Sequence, residues 1–108
     1  MLMNHRYIKK GVCVKLYGEI DHHACNVLRR EIESLLSIPD VMNLHLDFSD
    51  VSFMDSSGVG MIIGRYKTVC ARGGQVTSSG LRPDVARLYH AAGLHRIIPI
   101  QEDGGQDA

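Results

Sequence analysis

The sequence carries no net charge: its 12 lysines and arginines balance 12 aspartates and glutamates, and its pI is near 7.0. It therefore lacks the basic footprint that contacts to a phosphate backbone require, which argues against nucleic acid as a partner. Long apolar runs are missing too. The longest uncharged apolar stretch, Val59 to Gly64, falls far short of the ~20 residues of a membrane-spanning helix, so no membrane partner is expected. No charged-then-apolar leader opens the chain, and a cytoplasmic location is expected instead of export. Cys13, Cys25 and Cys70 are odd in number and widely spaced in apolar surroundings. They fit reduced core residues and not a disulfide or zinc set. At 108 residues the chain makes one domain with a modest core, too small for a second domain or a deep cleft.

What is present is an orderly change of period. Leu2 to Ile8 is weakly patterned and reads as an edge strand, turned back by Lys9-Lys10-Gly11. Val12, Val14 and Leu16 alternate with Cys13, Lys15 and Tyr17, a strand with one buried face. Asp21 then caps a helix whose apolar stripe is Ala24, Cys25, Val27, Leu28, Ile32, Leu35 and Leu36, ended by Pro39-Asp40. A second half-buried strand runs from Asn43 to Phe48, with Leu44, Leu46 and Phe48 inward and Asn43, His45 and Asp47 outward. Val59, Ile62, Ile63, Tyr66 and Val69 recur at helical spacing, and Gly73-Gly74 stops that helix. Gln75 to Ser78 is a short strand. Pro83 suits the first turn of a third helix with Val85, Leu88, Tyr89 and Ala92 on one face and Gly93 as its stop. Arg96 to Ile100 reads as a last strand, confined to an edge by Pro99. The polar, Gly-rich stretch 101–108 is expected to be a disordered tail after a domain spanning 1–100.

Strands alternating with helices predict an α/β domain: a mostly parallel central sheet of four to five strands, an antiparallel edge strand, and three to four packed helices. In such sheets binding concentrates on the rim formed by the C-terminal strand ends. The turns at Asp21-His22-His23, Asp55-Ser56-Ser57 and Ser79-Gly80-Leu81-Arg82 are all expected on that rim.

Asp55-Ser56-Ser57-Gly58 draws the most attention, because it places three capping residues where a loop meets a helix. One cap needs one of them. At least one hydroxyl is then left over at the positive end of a helix dipole, a candidate for modification.

Four other chemistries are open to these residues. Gly58, Gly60 and Gly64 are spaced somewhat like a dinucleotide-binding fingerprint. The turn before them holds Met-Asp-Ser-Ser instead of glycine, Asp55 would repel a pyrophosphate, and close packing of the helix on the sheet is the better account of such glycines. A small nucleotide-binding module at this helix start remains the alternative function. A hydrolase with Ser56 or Ser57 as nucleophile and His22 or His23 as base lacks the Gly-x-Ser-x-Gly elbow and a walled pocket. A metal site on Asp21, His22, His23, Cys25 and Asp55 fails because adjacent histidines at a helix start diverge, so no metal is expected. Asp55 as phosphoacceptor would need an acidic metal-binding cluster that the sequence does not supply.

The run Asp47 to Lys67, with Phe-Met-Asp-Ser-Ser-Gly-Val-Gly-Met-Ile-Ile-Gly-Arg-Tyr-Lys at its heart, closely resembles the signature of the anti-sigma factor antagonists, the STAS domain family. Gly18-Glu19-Ile20-Asp21-His22-His23 and Ala92-Gly93-Leu94 match the same pattern, so the resemblance extends from about Val12 to Ile98. It implies a protein that is no enzyme and takes no cofactor, switched by phosphorylation on the first serine of the signature, here Ser56. Unphosphorylated, it would bind an anti-sigma factor that is also its serine kinase and release a sigma factor for sporulation-type transcription. A metal-dependent serine phosphatase would reset it. The expected partner-binding residues are Asp21, His22, His23, Asp55, Ser56, Ser57, Gly58 and Gly80. One departure is visible: relatives continue into a longer apolar C-terminal helix where this chain has Gln101-Glu102-Asp103-Gly104-Gly105.

Overall fold

The computed structural model describes residues 1–102. The predicted alternation builds one five-stranded sheet from β1 (Met3–Ile8), β2 (Gly11–Ile20), β3 (Asn43–Met54), β4 (Val76–Ser79) and β5 (Ile100–Gln101), in that spatial order. β1 pairs antiparallel with β2, and every other pairing is parallel. Three helices connect the parallel strands: α1 (His22–Leu36), α2 (Ser56–Ala71) and α3 (Pro83–Ala91). Each strand is added on the same side of its predecessor, so right-handed crossovers stack all three helices on one face.

That face is the core. Val12, Val14, Leu16, Leu44, Leu46, Phe48 and Val76 are buried on it, against Leu28, Ile32, Leu36, Ile62 and Tyr89 from the helices. Tyr89 fixes α3 by donating from its hydroxyl to the Ile98 carbonyl and accepting from Ser78 Oγ, each at 2.9 Å, while its ring meets Phe48 edge-on. Burial pushes the Tyr89 phenol up to about 12, although the Ser78 hydrogen bond pulls it the other way.

Several local expectations change. The second parallel strand does not stop at Phe48 but continues to Met54, because Tyr17 to Ile20 of β2 pair with Asp50 to Met54 and hold that segment extended. His45 is not on an open face: it is buried, with Nδ1 2.7 Å from Thr77 Oγ1 and Nε2 2.8 Å from Ser79 Oγ. On α1, Val27 lies at the edge of the stripe and is exposed, as is Ala92 beyond α3. On α2, Val59, Ile63 and Tyr66 are only half-buried, and the enclosed face is Gly58, Met61, Ile62, Arg65 and Val69. Arg65 of this helix faces α1, its Nε 2.8 Å from Glu33 Oε2. Cys70 is exposed, not a core residue.

The expected strand at Arg96–Ile100 is instead a 3₁₀ turn (Leu94–Arg96) followed by β5, since Gly93 at φ 79 sends the chain directly into a further tight turn. Gln101 closes β5 and Glu102 lies in a turn, while residues 103–108 of the expected tail lie outside the described residues. Among the described residues, no helix is long and apolar enough to cross a membrane.

Candidate functional site

The site is made by two neighbouring strand ends. Ile20 and Met54 are register partners on β2 and β3, and the next residue in each case is an aspartate that starts a helix. Asp21 Oδ1 accepts from Ala24 N at 2.9 Å and caps α1; Asp55 Oδ1 accepts from Ser57 N at 2.9 Å and caps α2. Cys25 records how close the two turns are. Its thiol is pushed up, first by burial and then by the charges of both Asp55 and Asp21.

With Asp55 supplying the cap, Ser56 is released from that duty. It is the first residue of α2, it is exposed, and its hydroxyl makes no hydrogen bond among the described residues. Ser57 is half-buried and holds the turn through its backbone N–H. Gly58 is buried for a steric reason: a Cβ there would stand 2.5 Å from Met54 Cγ, 2.8 Å from Met54 Sδ and 3.2 Å from Ile20 Cγ2. Only glycine lets α2 start so close to the strand ends. His22 and His23 are both exposed, with rings in edge-to-face contact at 6.0 Å, and neither hydrogen-bonds to a serine of the turn among the described residues.

The third turn does not join them. Ser79 pairs with Asp47, seven positions before Met54, so β4 ends well short of β3. At ~3.3 Å per residue, Gly80 is set back on the order of 20 Å from the Asp55 turn. Gly80, at φ +72, packs against Ser49, and Arg82 Nε donates to the Ser49 carbonyl at 3.2 Å. The rim is therefore formed by the Asp21 and Asp55 turns, and the expectation that all three share it is corrected by the length of β3.

Spacing alone did not single out two neighbours of the site. Phe53, two residues before Asp55, is 49 % exposed because β3 runs on past β4 and leaves its outer face open. Arg65 is only 9 % exposed and pairs with Glu33 of α1. Only a contact between elements could have revealed either.

Residues 5–106 match the model of the STAS domain. The chain belongs to the STAS domain family. Among curated STAS relatives, the anti-sigma F factor antagonist of Paenibacillus polymyxa is 36 % identical over 90 residues, covering 83 % of this chain and 77 % of the relative. The anti-sigma-B factor antagonist of Bacillus subtilis (strain 168) is 35 % identical over 99 residues, covering 90 % and 89 %. In three dimensions the chain is similar to the anti-sigma factor antagonist SpoIIAA in its unphosphorylated form, with a TM-score of 0.82, 28 % identity and coverage of 94 % and 89 %. It is also similar to the Bacillus SpoIIAA structure in the phosphorylated form, with a TM-score of 0.74, 27 % identity and coverage of 94 % and 92 %.

Within this STAS domain the glycines of α2 do not behave as a dinucleotide fingerprint. The Ser57 N–H is taken by the Asp55 carboxylate and the Gly58 N–H by the Asp55 carbonyl at 3.0 Å. The cradle a phosphate would need at that helix end is thus partly filled by an acidic residue.

Proposed function

We propose that this STAS domain is an anti-sigma factor antagonist switched by phosphorylation of Ser56. The observation that carries the reading is the free, exposed Ser56 hydroxyl at the start of α2, beside an aspartate that already serves as the cap. The relatives' names and the existence of both forms of SpoIIAA support it. Unphosphorylated, the rim of Asp21, His22, His23, Asp55, Ser56, Ser57 and Gly58 docks an anti-sigma factor that is also the serine kinase, and a sigma factor is released. Gly80, set back from this rim, is left out of the docking surface. A metal-dependent serine phosphatase restores the binding form. The chain acts as substrate, ligand and switch, and the transcription it activates is of the sporulation type.

The switch needs no refolding. A phosphate adds about −1.5 to −2 charges, and at the start of α2 it meets the positive helix end, an interaction of about 0.3 to 1 kcal/mol that offsets part of the repulsion from Asp55. In the complex the same charge must shed water against a surface shaped for a hydroxyl, which costs several kcal/mol. Moving a population from nearly all bound to nearly all free takes about 5.5 kcal/mol. The test is to incubate the chain with its cognate anti-sigma factor and ATP, map the phosphosite by mass spectrometry, and compare amide spectra of both forms. Phosphate on Ser56, lost affinity and spectral changes confined to the two turns are expected. Incorporation elsewhere, or changes spread through the sheet, would remove this reading.

A further inference from the structure

A groove of about 300 Å³ opens between the N-terminal halves of α1 and α2, lined by His22 and Arg29 on one side and Ser57, Gly60 and Arg65 on the other. Resting on the reading just given, we propose that this groove receives a carboxylate side chain of the anti-sigma factor, bound by Arg29 and Arg65 and admitted by the missing side chain of Gly60.

Gly60 has no internal reason to be glycine. It is exposed, and a Cβ built on it would meet no atom within 4 Å, whereas Gly58 is required by Met54 and Ile20. Glycine weakens a helix interior, so the open space at Gly60 is a cost that this chain's own packing does not explain. The space lies in the groove wall, where an incoming side chain would use it.

Arg65 points the same way. It is 9 % exposed and lines the groove, its Nε lies in ion-pair range of Glu33 Oε2 at 2.8 Å, and neither Nε nor Nη1, both enclosed, makes a well-aligned hydrogen bond. A guanidinium so confined has few rotamers left, and its place in the groove lining offers the planar fork that favours a carboxylate. The charge of the lining agrees. Arg29 and Arg65 are basic, no lining residue is acidic, and Arg29 has only a long 3.5 Å contact to Asn26 Oδ1. Glu33 engages Arg65 from the α1 side, and the carboxylates of Asp21 and Asp55 are each turned to an N–H of their own helix. Ser57, not Ser56, lines the groove, so the acid-binding pocket adjoins the modified hydroxyl without containing it.

The experiment measures the affinity of the full chain for its cognate anti-sigma factor by calorimetry, together with the melting temperature of each variant. Arg29→Glu is expected to weaken binding at least tenfold, and to regain affinity when a partner Asp or Glu at the contact is replaced by Lys. Gly60→Leu is expected to weaken binding at least tenfold with a melting temperature no lower than that of the unmodified chain, which separates docking from folding. Both variants binding within twofold of the unmodified chain would overturn the groove as a docking site and leave the proposed function standing. An unmodified chain that fails to bind the anti-sigma factor at all would overturn both.

Discussion

Ile20 and Met54 face each other across β2 and β3, and the residue that follows each is an aspartate capping a helix. Two helix N-termini, two carboxylates, the Cys25 thiol and the Ser56 hydroxyl are thereby gathered at one end of the sheet. Several of these groups have a local role in the fold beside the docking role proposed for them, and substitutions can separate the two.

Ser56 and Ser57 differ in exposure and in what they do for the turn. Ser56→Ala is expected to abolish kinase-dependent phosphate incorporation, and Ser57→Ala to slow it without moving the site. The readout is phosphopeptide mapping of both variants after incubation with the anti-sigma factor and ATP. Full labelling of Ser56→Ala is the outcome that defeats the assignment.

Asp21 caps α1 and also stands on the rim. Asn caps about as well as Asp, whereas Ala costs about 1 kcal/mol. Asp21→Asn should therefore melt within a degree or two of the unmodified chain while binding its partner more weakly. Unchanged affinity would leave capping as the whole of its role.

The α2 glycines should respond in opposite directions. Gly58→Ala forces a Cβ to within 2.5 Å of Met54 Cγ, and overpacking of this kind costs about 1 to 3 kcal/mol, more than helix propensity returns. Gly60→Ala meets nothing within 4 Å and should stabilise the fold by up to about 1 kcal/mol. For a domain of this size, 1 kcal/mol is a shift of roughly 4 to 8 °C in Tm. Thermal melts of the two variants that move the same way would contradict the packing described for Gly58.

Tyr89 makes stability depend on alkaline pH. Its phenol is pushed up to about 12 in the folded chain, against about 10 when unfolded. Between those values the native state keeps a proton that the unfolded state has lost. Its contribution is complete below about pH 10, is lost as the pH rises toward about 12, and amounts to about 2 to 3 kcal/mol. Tyr89→Phe should lose that alkaline step in a denaturation series. It should also cost about 1 to 3 kcal/mol at neutral pH, because the buried Ile98 carbonyl loses its donor.

The sequence by itself determined the order of elements, the antiparallel first strand, both aspartate caps and the Ser56 turn. Each of these depends on neighbours in the chain: alternation at Val12-Val14-Leu16, helical spacing from Ala24 to Leu36, an oxygen side chain ahead of a free N–H. Tertiary structure decided what depends on contacts between elements. The segment 49–54, which does not continue the clean alternation of Leu44, Leu46 and Phe48, became strand because β2 was there to pair with it. That extension in turn set Gly80 back from the rim and exposed Phe53. Arg65 was drawn inside by Glu33, 32 residues earlier in the chain, and His45 by Thr77 and Ser79 on the adjacent strand. No periodicity encodes such pairings, since their energy comes from partners distant in sequence that only the folded sheet and its helices bring within hydrogen-bonding distance.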